Sequence, residues 1–379
     1  MKRELFDTEH DMFRKSFRTF LEREVVPHRK EWEEAGIVPR DIWLKAGKNG
    51  FLVPWVDEQY GGTGVKDFRF DQIICEEMAR VNEAGFFIPL QNSLIAPYIN
   101  EFGSEEQKTR ILPKCVTGET ILAVAMTEPG TGSDLAGMKT TAVDKGDHFI
   151  LNGSKTFISN GLLADVILVA ARTDPKNPHA MGMFIVERDQ EGFERGRNLD
   201  KMGMKSQDTA ELFFNHVIIP KANVLGNPTQ GFMYLMKMLA QERLTLACGA
   251  VGGAQAAYDL TKSYIKERKA FGKPICKFQN TRFKMAEMKT EIDMAQVFVD
   301  RCVMDHNHGK LAGDIACQAK LYTSELACRV ADECVQLHGG YGYMMEYPIA
   351  SMYLNVRIHR IFAGTSEIMK EVIARADGL

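Results

Sequence analysis

The chain lacks any apolar run of the roughly 20 residues that a membrane-spanning helix needs. The uncharged stretch from Leu244 to Tyr258 falls short of it. Charge of one sign is also missing. Forty-seven Lys and Arg against 50 Asp and Glu leave a formal net charge of -3, mixed along the chain. There is thus no basic stripe for nucleic acid and no acidic disordered tail. None of the eight cysteines (75, 115, 248, 276, 302, 317, 328 and 334) forms a CxxC pair. Without an export signal, buried free thiols are expected rather than a disulfide framework. His306 and His308 in "DHNHGK" have no Cys or acidic partner at ligand spacing, so a solvated helix end is expected and no metal. The N-terminus, "MKRELFDTEHDMFRKSF", has no apolar signal core and carries acids early, which suits a cytoplasmic chain or a mature form that has shed a presequence.

At 379 residues the chain is long enough for two or three domains. Residues 1–123 read as helices. Phe13, Phe17, Leu21 and Val25 share one face, and "GSEEQKTRIL" opens a helix with a Ser104/Gln107 capping box. Residues 124–230 read as strands: "ILAVAMT" enters them, then "DVILVAART", "GMFIVERD" and "TAELFFNHVIIP" follow. Asn152-Gly153 in "HFILNGSKTFIS" is a hairpin signal. From Gly231 to the end (231–379) the helical pattern returns, with small residues between 248 and 254 for close helix packing. The expected fold class is α+β: an N-terminal helical domain, a middle β domain of barrel or sandwich type, and a C-terminal domain like a four-helix bundle.

Several stretches could carry chemistry. "MTEPGTGSDLAG" is a Gly-rich loop after a strand, but strands follow it, so it is not a dinucleotide fingerprint. Spacing alone favours a plain turn; the alternative is a backbone opened by Gly130 and Gly132 to a ligand. In "KERKAFGKP" the basic residues suit the helix dipole, or an arginine reaching a phosphate. "CVQLHGGYGY" ends a helix with two glycines where a left-handed cap needs one. "IFAGTSEIMK" opens a helix, and its free N–H groups suit a simple Thr cap or a bound acceptor.

"MLAQERLTLACGA" (238–250) raises a sharper question, because Glu242 and Arg243 stand in an apolar helix with no opposite charge at helical spacing. Spacing gives the edge to a structural pair satisfied by tertiary partners. The alternative is a carboxylate kept in an apolar pocket to take a proton.

Taken in order, "PWVDEQYGGTG", "GSEEQKTRILP", "AMTEPGTGSDLAGMKT", "NGSKTFISNG", "ERKAFGKPI", "QLHGGYGYMMEYP" and "GTSEIMKEVIAR" resemble the acyl-CoA dehydrogenase family over nearly the whole chain. The C-terminal third looks most like the long-chain and isovaleryl branches. The resemblance implies a homotetramer, one FAD per subunit, an acyl-CoA substrate and an electron-transfer flavoprotein as acceptor. It implies that Met126, Thr127 and Ser133 line the flavin and the start of the substrate channel, with Phe157 and Ser159 against the ring. Arg268 and Phe271 would reach a neighbouring subunit's FAD, with Gln279 nearby. Gln336, Gly339 and Gly340 would meet the adenosine and pyrophosphate, and Thr365 and Glu367 would add contacts after the last turn. Arg243, Ala363, Gly364 and Ser133 would border the substrate.

Two positions depart from the family pattern. Phe157 stands where Trp is frequent, and Ala363 stands where many members carry the catalytic glutamate. The isovaleryl and long-chain branches carry their base on the helix that "QERL" resembles, at the position of Glu242. The expected reaction is therefore α,β-dehydrogenation of a long-chain or methyl-branched acyl-CoA to the trans-2-enoyl-CoA, with Glu242 as base. The thioester oxygen would be held by a flavin ribityl hydroxyl and the backbone N–H of residue 363, and Arg243 would anchor the helix. Residues 86–103 are expected at the far end of the acyl pocket. Two alternatives stay open: a flavin oxidase or nitroalkane-type enzyme on the same scaffold, and an inactive scaffold protein.

Overall fold

The computed structural model describes residues 3–174, 176–177 and 179–379. Six helices come first: α1 (Thr8–Phe20), α2 (Arg29–Ala35), α3 (Arg40–Lys48), α4 (Phe68–Val81), α5 (Ala96–Phe102) and α6 (Glu105–Thr117). The apolar stripe of the first helix is real: Phe17, Leu21 and Val25 are buried, the last two in a wider π turn that prolongs α1. The capping box forms as read. Ser104 Oγ accepts from Gln107 N at 3.2 Å, and Gln107 Oε1 accepts from Ser104 N at 3.1 Å.

Eight strands follow: β1 (Leu122–Ala125), β2 (Thr141–Asp144), β3 (His148–Ser159), β4 (Val166–Arg172), β5 (Met181–Glu187), β6 (Phe193–Asn198), β7 (Thr209–Pro220) and β8 (Val224–Leu225). They hydrogen-bond into one mixed sheet, in the order β6-β7-β3-β2-β4-β5-β8, with β1 parallel to β4. The sheet curls until Phe149 of β3 meets Phe184 of β5, ring centroids 5.1 Å apart, although β2 and β4 lie between those strands.

Asn152-Gly153 is not a hairpin. The strand β3 runs through it unbroken, and the pair forms a bulge where the register against β7 shifts between Leu151 and Gly153. Gly153 has φ +147, and a Cβ there would sit 2.4 Å from Thr140 Oγ1. Asn152 Oδ1 accepts from His216 N of the partner strand at 2.9 Å. Positive φ suits a bulge as well as a turn, and the long partner strand decides between them.

Helices return as α7 (Gly231–Glu267), α8 (Gln279–Asn307), α9 (Gly313–His338), α10 (Pro348–Val356) and α11 (Ser366–Ala376), with a small hairpin, β9 (Lys269–Ala270) and β10 (Lys273–Pro274), after α7. The core between α7, α8 and α9 holds Leu244, Val251, Ile292, Val299, Leu326 and Val330, and Phe68 and Cys75 of α4 belong to it. Burying each such large aliphatic side chain contributes roughly 1.5–3 kcal/mol. Gly252 lets α4 come close: a Cβ would lie 3.1 Å from Glu76 Cα and 3.3 Å from Ala79 Cβ. His306 is not at a solvated helix end. Its ring meets Phe68 edge-on at 4.8 Å, and burial pushes its imidazole pKa down; His308 is exposed as expected. The eight cysteines are free thiols, mostly buried. No helix among the described residues is long and apolar enough to cross a membrane.

Candidate active site

Glu242 lies in the first half of α7, only 5% exposed. Its partner comes from α5: Tyr98 Oη donates to Glu242 Oε1 at 2.7 Å. The carboxyl makes no ion pair among the described residues. Burial pushes its pKa up to about 7, against the Tyr98 hydrogen bond and the nearby Arg243 charge, which pull it down. A carboxylate half-ionised near neutrality suits a general base. Tyr98 stabilises the ionised form. Removing a hydrogen bond to a charged group costs roughly 1.5–3 kcal/mol, or about one to two pH units at 1.36 kcal/mol per unit. Tyr98→Phe is therefore expected to move the acidic limb of kcat/KM to higher pH by that amount, with activity recovering above the shifted limb. A limb that stays in place would show that the hydroxyl does not act on Glu242.

Arg243 turns the other way, towards α9. Its Nη1 donates to Cys317 Sγ at 3.1 Å, while its buried Nε finds no partner among the described residues. The two neighbours are thus not a structural ion pair. Close by, Lys320 of α9 is 1% exposed, and its Nζ donates to Gly364 O at 2.7 Å. Burial, reinforced by Arg243, brings the Lys320 pKa down to about 8. Ala363 has φ +50 and Gly364 φ +95, two left-handed residues in succession. Thr365 then caps α11, its side chain accepting from Ile368 N at 3.3 Å.

Beyond this turn a mostly apolar cavity, partly open to solvent, runs between α4, α7 and α10. Thr245, Leu246, Gly249 and Gly253 form its α7 wall, Met78 and Ala79 its α4 wall, and Phe362 stands at the turn. Of residues 86–103, Phe87 and Pro89 line it. A Cβ on Gly249 would meet nothing within 4 Å, and one on Gly253 only Val356 at 3.9 Å. These glycines therefore leave space in the cavity, whereas Gly252 serves the helix contact.

A second group gathers where β1 leaves the sheet. Lys155 of β3 is fully buried and donates to Met126 O and to Glu128 Oε1, both at 2.9 Å. Burial pushes Lys155 down to about 8. Burial also works to raise the Glu128 carboxyl, but Lys155 and the Thr140 and Lys139 donors hold it below its usual range. Thr156 N donates to Thr127 O at 2.9 Å. Met126 and Thr127 are thereby tied beside Phe157, which sits at φ +60, 67% exposed, at a register shift between Lys155 and Ile158. An aromatic face held open on strained backbone points to a partner. Ser159 is half-buried on the same strand, and Ser133 is exposed in the loop.

A third group lies at the far end of the C-terminal helices. Arg268 stacks on Tyr341, 5.2 Å from the ring centroid, next to Gly339 and Gly340. Gly339 ends α9 at φ +61, ψ -140, a conformation that only glycine adopts readily, rather than in the left-handed cap. Neither glycine would place a Cβ within 4 Å of other atoms. Phe271 projects from the β9–β10 hairpin, 96% exposed, with exposed Gln279 starting α8. Gln336 and Glu367 are exposed as well.

Residues 7–119, 123–217 and 229–377 match, in turn, the N-terminal, middle and C-terminal domains of acyl-CoA dehydrogenases. The chain belongs to the acyl-CoA dehydrogenase family. The long-chain specific acyl-CoA dehydrogenase, mitochondrial, of Sus scrofa is 47% identical over 98% of this chain and 87% of its own length. A crystal structure of an acyl-CoA dehydrogenase from Geobacillus kaustophilus superposes with a TM-score of 0.98 at 51% identity, covering 100% of both chains. The caffeyl-CoA reductase-Etf complex subunit CarC of Acetobacterium woodii is 39% identical over 97% of this chain and 98% of its own. Acyl-CoA dehydrogenases are FAD-dependent oxidoreductases acting on CH–CH groups. The open face of Phe157 and the uncovered backbone at Gly339 and Gly340 fit a flat ring system with a phosphate-bearing tail. Sequence reasoning missed the contacts of Tyr98, Cys317 and Lys320, which join residues far apart in the chain, and it took Gly249 and Gly253 for close helix packing, whereas they face the cavity.

Proposed function

We propose that this acyl-CoA dehydrogenase acts on long-chain acyl-CoA thioesters, with Glu242 as the base that removes the C2 proton. The observation that carries this reading is a buried carboxyl, pushed up to about 7, one helical turn from a mostly apolar cavity along α7. Gly253 stands about 16 Å beyond Glu242 along α7, at 1.5 Å per residue, so a long acyl chain has room alongside the helix. Excluding water under the acyl chain strengthens every charge interaction at C2. As the proton passes to Glu242, negative charge grows on the thioester oxygen, and the Ala363 N–H supports it. Residue 363 contributes its backbone there, so losing the side-chain carboxylate at that position does not remove this donor.

Bound FAD supplies the acceptor for the hydride that leaves C3. On this reading Met126, Thr127, Ser133, Phe157 and Ser159 hold the ring. Gln336, Gly339, Gly340, Thr365 and Glu367 hold the remainder, and Arg268, Phe271 and Gln279 reach across to a neighbouring subunit's FAD. Support for a tetramer lies in Phe271 and in the exposed Phe283, Met294 and Val297 of α8. An electron-transfer flavoprotein as electron acceptor is supported by the CarC relative, which is named as part of an Etf complex.

The experiment is anaerobic mixing of the yellow holoenzyme with butyryl-, octanoyl- and palmitoyl-CoA. Bleaching is expected to be fastest with palmitoyl-CoA, and the reduced protein is expected to pass electrons to an electron-transfer flavoprotein faster than to oxygen. No bleaching with any thioester would exclude the reading. Arg268→Ala is expected to lose FAD on gel filtration and to lower the solution mass. Unchanged flavin content and mass would leave Arg268 as a cation on a helix end stacked on Tyr341.

A further inference from the structure

We infer that Lys320 is a positioning residue for proton abstraction: its buried ammonium holds the Ala363–Gly364 turn in the conformation that leaves the Ala363 N–H free for the thioester oxygen. The inference rests on the dehydrogenase reading and goes beyond it. A buried ammonium is costly without a partner. Lys320 is 1% exposed and forms no ion pair among the described residues, and its hydrogen bond goes to Gly364 O. That carbonyl belongs to a strained turn. Ala363 at φ +50 carries a Cβ where glycine is at ease, and Gly364 at φ +95 has a backbone conformation in which any side chain would be strained. Such a turn persists only where its surroundings over-determine it.

The helix α9 holds it at two points. Glu325 Oε1 accepts from Ser366 Oγ at 2.7 Å and from Arg360 Nε at 2.8 Å, fixing the flanks. Lys320, more than a turn earlier on α9, fixes the middle. The N–H groups of Ile361 and Phe362 are both taken up by Ile358 O, whereas the Ala363 N–H has no acceptor among the described residues. A peptide donor left free beside an apolar cavity awaits an acceptor. The geometry has an electrostatic side too. Lys320 and Arg243 are two buried cations near the turn, and Arg243 follows Glu242 in the chain. When the C2 proton moves to the Glu242 carboxylate, the electron pair of the broken C–H bond spreads to the thioester oxygen. The negative charge thus shifts towards the turn that Lys320 grips. A cation fixed there in advance favours that shift without reorganising.

The test uses the FAD-loaded protein and 3-thiapalmitoyl-CoA, which can lose its C2 proton but cannot complete dehydrogenation. At a fixed pH, the long-wavelength absorbance of the bound enolate reports how acidic C2 becomes in the site, and titration reports affinity separately. In Lys320→Met, flavin content and melting temperature should stay near wild type, and the dissociation constant of the un-ionised thioester, which is the titrated constant corrected for the enolate fraction, should change little. The enolate-to-neutral ratio should fall roughly ten- to hundredfold, the scale of one charge-assisted hydrogen bond. Lys320→Arg, which keeps charge and donors, should recover part of it. An unchanged ratio in Lys320→Met overturns the inference. Should Lys320→Met fail to fold or to keep FAD, Lys320→Gln decides, because it keeps a donor of similar reach without the charge. A wild-type ratio in Lys320→Gln overturns the electrostatic role, and a lowered one with unchanged affinity for the un-ionised thioester supports it. If wild type itself forms no enolate, the dehydrogenase reading fails and not the role of Lys320.

Discussion

Glu242→Gln is expected to keep the fold, the FAD and acyl-CoA binding while slowing anaerobic bleaching by roughly two to four orders of magnitude, the usual contribution of a positioned general base. Gln can still accept the Tyr98 hydrogen bond but cannot take a proton. The same substitution should stabilise the protein. Burial raises the Glu242 pKa from 4.5 to about 7 in the folded chain. Its favourable contribution is therefore fully present below about 4.5 and lost as the pH rises through about 7. Ionising it in the folded protein costs about 3 kcal/mol on that shift. Glu242→Gln should accordingly show an advantage in denaturant midpoint that is near zero at acidic pH and grows towards pH of about 8. Ala363→Glu in a Glu242→Gly background should restore part of the turnover with an altered acyl preference, because the new base approaches from the opposite wall and small misplacements are costly. Wild-type bleaching rates in Glu242→Gln would leave Glu242 as a structural group and remove the mechanism.

The second large effect concerns acyl length. Gly249→Phe should fill the cavity beyond Leu246. The added ring enters open space, since a Cβ at 249 meets nothing within 4 Å, so the helix should tolerate it. A gain of helix propensity over glycine, about 0.3–0.5 kcal/mol, works in the same direction. Palmitoyl-CoA should lose on the order of a hundredfold or more in kcat/KM, as several methylenes forfeit their burial at about 0.8 kcal/mol each. Butyryl-CoA, whose short chain ends before the plug, should change little. Gly253→Phe should set its cut-off at a longer chain than Gly249→Phe. Equal losses for short and long substrates would show that the acyl chain runs elsewhere.

The order of helical, β and helical segments was legible because each keeps its own apolar period, and the capping box at Ser104 fixed one boundary with two residues. Glu242 stood out as a candidate for the opposite reason: a carboxylate among Leu, Ala and Thr contradicts its surroundings and asks for an explanation. Tyr98 left no such mark. It stands 144 residues from Glu242, and a tyrosine in an apolar helix is unremarkable until the fold brings it to a carboxylate. Lys320 has the same difficulty, since lysine on a long helix reads as solvated surface. Asn152-Gly153 misled because local chemistry specifies positive φ, while pairing with β7 specifies what that φ is used for.

The glycines of α7 divide their labour by face. Gly252 is pressed against the backbone of α4, so a methyl group there disturbs the contact between two helices that share a core. Gly249 and Gly253 look into space. In a lineage of such enzymes, single substitutions at these two positions could shorten the accepted chain without first having to find compensating changes in the bundle. If the acyl chain lies in this cavity, as proposed, chain-length preference drifts from one descendant to the next while the scaffold stays still, and the reverse change, from side chain back to glycine, reopens the cavity in one step.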